Sequence, residues 1–356
     1  MPRITSADKL RNQIKAIRFE RPDFINMVFA VNGACWHHYP NQALYDLMEA
    51  HPFLFPDFVR PEGDMEISFT GPSQAGHPYR DDFGCIWETT DDGIVGTVTG
   101  HPLADWSRFD SWKAPDPALS NGLGPIDWAE EEARIRAAHA RKEPASAGLR
   151  HGHTFLQLCD IRGYQNLIYD MMDEEPRLRT LIGQLEEFNT ALVKHYLSLG
   201  VDTFGFPEDL GMQIGPMLSP DNFRQYIKPS YHRMMKLVRD AGVPVHMHSD
   251  GDIRVLADDL IEGGVECINL QDLINGIDWI ADRFRGKIAV DLDLDRQKIT
   301  PFGTPEEIGC LVREEVEKIS TPQGGMTMIY GLYPGVPLEN VKAVMDAMER
   351  YAFYYN

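Results

Sequence analysis

His246 and His248 stand two residues apart at the end of the apolar run Val243-Pro-Val-His-Met-His248, and Ser249-Asp250-Gly251-Asp252 follows at once. Imidazole nitrogens and carboxylate oxygens are the donors that hold a divalent transition metal. In an extended chain, residues i and i+2 share a face. His246 and His248 would then point one way, and Val245 and Met247 the other. A catalytic zinc takes three protein ligands and keeps one position open. The third donor is sought among Glu208, Asp250, Asp293 and Tyr330, and the expected metal set is His246, His248 and Glu208. Without a metal, the two imidazoles would orient an anionic substrate or be satisfied by a carboxylate. Asp250-Gly251-Asp252 reads as the opening of the next helix, where a carboxylate is stabilised by the free N–H groups of the first turn.

The same pattern of an apolar run that turns polar recurs along the chain. It follows 24–31 with Asn32, Trp36, His37 and His38, and 153–158 with Cys159, Asp160 and Arg162. After 201–206 come Glu208, Asp209 and Gln213, and around 265–270 lie Asn269, Gln271 and Asp272. The runs 287–292 and 326–331 bring Asp291, Asp293, Asp295, Tyr330 and Tyr333. From these the expected catalytic groups are Asp250, Asp293 and Tyr330. The expected substrate contacts are Trp36, His37, Phe206, Asn269, Gln271, Asp291 and Tyr333. Their aromatic rings would suit a ring-shaped substrate; packing in the core is the competing role for rings such as Phe155 and Phe204.

The elements that must position these residues are short and regularly spaced. The runs 24–31, 153–158, 201–206, 243–248, 265–270, 287–292 and 326–331 have strand length and are apolar almost throughout, as parallel strands covered on both faces are. An eighth strand is assigned to 65–69. Helices are expected over 162–199 with a break near Glu175-Pro176, from the Ser219-Pro220 cap to about Asp240, after the Thr304–Glu307 capping box, and from Pro337 to Tyr351. Alternating strands and helices imply a parallel sheet with right-handed crossovers. The expected fold is an α/β (β/α)8 TIM barrel, one domain over 1–356, whose active site lies at the C-terminal ends of the strands. A doubly wound sheet is the rival, and no GxGxxG follows the first strand to support its dinucleotide-binding form. Residues of about 70–150 break the rhythm and read as an N-terminal-half insertion. It contains a β-hairpin over 85–98 that turns at Asp91-Asp92-Gly93.

Composition narrows the function. The 356 residues carry a formal net charge of -20, which opposes binding to nucleic-acid phosphates and to anionic membranes. Five cysteines with no CxxC spacing suggest neither a disulfide framework nor a thiolate zinc knuckle. The first residues, MPRITSADKL, are charged and lack a signal-peptide core, and there is no apolar run of membrane-spanning length. A cytoplasmic enzyme is the expectation.

The stretches HSDGDIRVLADDLIEGGVECINLQD, EDLGMQIGPMLSPDNFRQYIKP and YGLYPGVPLENVKAVMDAM together resemble the uroporphyrinogen decarboxylase-like superfamily over roughly residues 150–354. Residues 81–117 are similar to the insertion of its methyltransferase branch. The resemblance implies a (β/α)8 barrel. True uroporphyrinogen decarboxylases carry an arginine-rich N-terminal motif for the substrate's carboxylates, whereas the first strand here reads NMVFAVNGACWHHYP, without arginine. The other branch comprises corrinoid-dependent methyltransferases, many of which hold zinc through His-x-Cys and a later Cys. His246-Met-His248 falls at the first motif and Tyr330 at the second. A nitrogen- and oxygen-rich zinc site would suit an oxygen substrate better than a thiol.

The resemblance therefore implies an enzyme that moves a methyl group from a small methoxylated (preferably aromatic) or methylated compound to a corrinoid (cobalamin) protein. Zinc would be its cofactor and O-demethylation its reaction. The sequence shows no cobalamin-binding domain, so the corrinoid would be carried by a separate partner; a homodimer is an open option. The alternative is a cofactor-independent decarboxylase of a small carboxylic acid, with Asp250 or Asp293 stabilising a cationic intermediate. A third reading is a non-catalytic module that binds a corrinoid or tetrapyrrole.

Overall fold

The computed structural model describes residues 4–355. Seven strands pair in parallel: β1 (Asn26–Val31), β2 (Ser146–Gly148), β3 (Thr203–Pro207), β4 (Val245–Ser249), β5 (Cys267–Gln271), β6 (Ala289–Asp293) and β7 (Met326–Leu332). The chain is α/β. It divides into two compact units, one built from residues 4–69, Asp91–Ile94 and 267–355, the other from Thr70–Thr90 and Val95–Glu266.

In the first unit the strand order is β1-β7-β6-β5. Its register aligns Asn26 with Thr327, Thr327 with Asp291, and Asp291 with Asn269. Alternation does the rest: Met27, Met328, Leu292 and Leu270 fall on the opposite face and are fully buried. β5 and β6 therefore carry polar residues at alternate positions (Asn269 and Gln271, Asp291 and Asp293), and Asn26 of β1 and Thr327 of β7 join that face, so these strands are not apolar throughout as the sequence suggested. The helix Leu338–Ala352 packs on β1 and on the helix Pro305–Ile319. The second of these opens with the expected capping box, in which Thr304 and Glu307 satisfy each other's backbone N–H groups.

In the second unit the order is β2-β3-β4. Phe204 aligns with Val245, Gly205 with His246, Phe206 with Met247 and Pro207 with His248. Along β4 burial alternates as parity requires, with Val245, Met247 and Ser249 buried and His246 and His248 half-buried. The long helical region breaks at Pro176, between the helices Tyr164–Met172 and Pro176–Ser198. Ser219 caps Pro220–Asn222, its hydroxyl accepting from the Asn222 N–H. A π-helical turn, Phe223–Ile227, then leads into the helix Lys228–Asp240. This wider turn accommodates Pro229, which has no N–H for a regular ladder. Strands Ile86–Glu88 and Thr97–Gly100 pair antiparallel, as the hairpin reading expected.

Two expected strands are corrected. Residues 153–158 are not a strand: a helix spans Phe155–Arg162, and the strand of that region is the preceding Ser146–Gly148. Residues 65–69 form no strand. Among the described residues the five cysteines are free, four of them buried, and no helix is long and apolar enough to cross a membrane.

Candidate metal site

The second unit builds a site from the ends of its three parallel strands. Parallel strands finish at the same edge of a sheet, so whatever follows Gly148, Pro207 and Met247 gathers there. Main-chain bonds carry the register beyond the strands: Gly152 N–H donates to Pro207 O and Glu208 N–H to His248 O, each at 3.0 Å. The side chains delivered are His151, Asp209 and His248, whose donor atoms all lie within 4.8 Å of one another. Asp209 Oδ2 is 3.4 Å from His151 Nε2, and Asp209 Oδ1 is 3.4 Å from His248 Nε2. Two ligands of a tetrahedral zinc with bonds of roughly 2.0–2.1 Å are about 3.3–3.4 Å apart. Each imidazole stands at that spacing from a different oxygen of Asp209, the three residues could together hold a metal ion, and the half-exposed His151 ring leaves an approach from solvent.

Electrostatics suit a cation. Burial alone would raise the Asp209 carboxyl, but its hydrogen bonds with His151 and His248 outweigh burial and hold it well below the usual carboxylate range. It is therefore an anion at neutral pH. The Asp250 N–H also donates to Asp209 Oδ1 at 3.0 Å, which orients the carboxylate from the loop after β4. Asp250 Oδ1 lies 3.7 Å from His248 Nε2. Two glycines allow these loops to meet. Gly251 has φ +81, and a Cβ there would fall 2.2 Å from the Gly211 carbonyl carbon. No side chain fits between two backbones at that distance.

The expected metal set of His246, His248 and Glu208 compares with this geometry as follows. His248 is in the group. His246 shares its face one pleat earlier, opposite Gly205. Glu208 is engaged elsewhere: it is fully buried, and its carboxylate accepts from the N–H groups of Thr154, Phe155 and Leu156 and from the Tyr231 hydroxyl, at 2.7 to 3.1 Å. It thereby closes the free N-terminus of Phe155–Arg162, where Thr154 makes no side-chain cap. Burial, the largest influence, raises the Glu208 carboxyl, against the lowering effect of these hydrogen bonds.

Phe206 is fully buried, 5.2 Å from the Phe204 ring and 5.6 Å from His153.

The first unit groups its own expected residues. Asn269 Nδ2 donates to Asp291 O, and Thr327 Oγ1 to Asp291 Oδ1. Asp293 pairs with Arg296 at 2.6 Å, and the Arg296 guanidinium lies over the Tyr333 ring. Gln271 offers its carbonyl to Asn275. Tyr330 is fully buried and donates to Thr300 Oγ1; burial pushes its hydroxyl up to about 12. Trp36 packs on Tyr45. His37 is exposed, with Nε2 3.2 Å from Ile67 O.

Sequence reasoning did not select His151 or Asp209 as ligands. Asp209 stands among the polar residues after 201–206, so position already marked it. His151 had no such mark, because a strand assigned to 153–158 puts it at the wrong end. The short strand Ser146-Ala-Gly148 has no apolar run to announce it.

Comparisons with known proteins agree with this architecture. The family model described as uroporphyrinogen decarboxylase (URO-D) matches residues 88–351. A uroporphyrinogen decarboxylase of Thermus thermophilus is 30% identical over 141 residues, 38% of each chain. One from Christiangramia forsetii is 21% identical over 178 residues, 48% of each. The matches thus span less than half the length of these curated relatives. Among solved structures, a methyltransferase from Methanosarcina mazei superposes over 96% of this chain and 98% of its own, with TM-score 0.66 and 17% identity, a likeness of fold.

Proposed function

The chain belongs to the uroporphyrinogen decarboxylase (URO-D) family, and we propose that within it the protein is a metal-assisted methyltransferase. It would take a methyl group from a small methoxylated, preferably aromatic, compound and pass it to a corrinoid carried by a partner protein. The observation that supports this reading is the convergence of His151, Asp209 and His248 from three strand ends. A cofactor-free decarboxylase has no need of such a donor set. The fold in this proposal is a (β/α)8 barrel with residues of about 70–150 inserted.

His151, Asp209 and His248 would hold zinc. A bound zinc would supply Lewis acidity at the ether oxygen of the substrate. The protein's own groups do the remaining work. Asp209 stays ionised and sets the charge of the site. The Asp250 N–H and the Gly211–Gly251 contact fix its direction. A reduced Co(I) corrinoid on the partner would supply the electron pair that accepts the methyl group, and the ether oxygen would keep its bonding pair and leave as a phenolate. The two imidazoles and one carboxylate form a nitrogen- and oxygen-rich set, which favours such an oxygen donor over a thiol.

The second reading is decarboxylation of a small acid, favoured by the curated relatives, which are named as uroporphyrinogen decarboxylases. The first-strand segment 26–38 contains no arginine to grip a many-carboxylate substrate, and the chain's charge is -20. The two readings separate in one experiment. Metal content is measured for the wild-type protein and for the His151→Ala/His248→Ala variant, and each is assayed with methoxyaromatic compounds and cob(I)alamin. About one zinc per chain, with demethylation that disappears in the variant, is the expected result. A metal-free protein that releases CO2 from a small acid without any corrinoid would replace it with the second reading.

A further inference from the structure

Arg150 immediately precedes the candidate ligand His151, and its side chain is nearly buried. Its fork points along its own loop: Nε donates to His151 O at 3.1 Å and Nη2 to Gly152 O at 3.4 Å. The same guanidinium lies between two carboxylates, with Nη2 3.4 Å from Asp160 and Nη1 3.8 Å from Asp81. It also faces the Trp87 ring at 5.7 Å.

Asp81 is buried and firmly held. It accepts from the Cys85 N–H at 2.8 Å and from Trp87 Nε1 at 2.9 Å. These partners lie in the antiparallel segment formed by strands Tyr79–Arg80 and Ile86–Glu88. The metal reading gives this segment no task. Nevertheless, its most buried carboxylate is aimed at the residue that controls the loop of His151.

The loop needs such control. Of the three candidate ligands, His151 is the most exposed and lies beyond the end of its strand, whereas His248 sits within β4. Main-chain ties to β3 flank His151, Leu149 N–H to Gly205 O and Gly152 N–H to Pro207 O, and the carbonyls of His151 and Gly152 are taken by Arg150. We infer that Arg150 is a positioning residue for the metal site, and that Asp81 and Trp87 of the antiparallel segment hold its guanidinium so that the His151 loop is presented to Asp209 and His248. This inference rests on the metal reading. It gives the antiparallel segment a function: it braces a ligand that the strands alone leave loose.

Arginine's planar fork is what serves two carbonyls at once. A lysine would keep the charge between Asp81 and Asp160 but would lose the directed Nε donor. The test is Arg150→Lys, compared with wild type by Co(II) titration, the visible spectrum of the Co(II) protein, and thermal melting with and without metal. The expected result is a loss of Co(II) affinity of roughly 10–100-fold, typical for residues that orient ligands. It comes with an altered ligand-field spectrum, a metal-free melting temperature close to wild type, and a smaller metal-induced rise. Asp81→Asn approaches the same guanidinium from the other side and is expected to weaken Co(II) in the same direction; it decides the matter if Arg150→Lys fails to fold. Wild-type Co(II) affinity and spectrum in the variants that fold would overturn the inference while leaving the metal reading intact. A wild-type protein that binds no Co(II) would overturn the metal reading, and the inference with it.

Discussion

Asp209 and Glu208 are neighbours in sequence with opposite duties. Asp209 is shared by two imidazoles at 3.4 Å each, a contact that a cation would strengthen. Glu208 points the other way, into four hydrogen bonds. Two predictions separate them. Asp209→Asn keeps the shape but removes the charge, and should weaken zinc or Co(II) on the order of 100-fold, measured by competition with a chromophoric chelator; because the carboxyl is held low in the folded chain, some stability at neutral pH should go with it and the loss should fade as pH falls through the carboxylate range. Glu208→Ala should act on the fold, costing about 3 kcal/mol or more in urea unfolding, because three backbone donors and one hydroxyl lose their acceptor in a buried place. A loss below about 1 kcal/mol would show that those donors find other partners, and the role of Glu208 as the helix terminus would have to be withdrawn.

The loops after β3 and β4 depend on backbone approach. Gly251 adopts a left-handed φ and lies against Gly211. Gly251→Ala should therefore cost about 1–3 kcal/mol from conformation alone, and more from the collision. Metal affinity should fall with stability, since the same loops orient Asp209 and His248. An alanine variant with unchanged melting and unchanged Co(II) binding would mean that the two loops are free to separate. At this scale the sequence was legible where periodicity was strong. The runs at 201–206, 243–248, 265–270, 287–292 and 326–331 are all strands, displaced by a residue or two, and the caps at Ser219 and Thr304 are in place. It failed at 153–158 because a six-residue apolar run is common to a buried strand and a buried helix. What decides for helix is Glu208, more than fifty positions away along the chain and invisible to any local window. It failed at 146–148 because Ser-Ala-Gly has no large apolar side chain to form a pattern. That second failure hid His151.

For the molecule as a whole, an acidic pair far along the chain from these ligands sets a pH dependence. Glu315, on the helix Pro305–Ile319, is fully buried beside Asp272, itself buried at the start of the helix Asp272–Asn275. Burial, then the charge of Asp272, raises the Glu315 carboxyl far above its ordinary value, and burial raises Asp272 to about 6. Both folded values lie above the unfolded ones, so the native state holds more protons. Stability from this pair is complete below the ordinary carboxylate range, near pH 4, and declines as pH rises through about 6 and beyond. Glu315→Gln places a neutral amide beside Asp272 and removes one of the two charges. It should flatten that slope and raise stability at pH 8 relative to wild type. Urea unfolding at pH 5 and pH 8 reads this, and equal slopes in both proteins would remove the pair as the cause. The convergence of three strand ends has a further consequence, for the newly made chain. Its candidate metal donors come from three stretches far apart in sequence, so an unfolded chain would be a poor chelator: closing two long loops around an ion is entropically unfavourable. On the proposed reading the ion would be captured only after β2, β3 and β4 have come into register. Metal uptake during refolding would then be a late clock for the assembly of this unit, and chelation would draw the protein back toward a state in which its strands are paired but its loops are open.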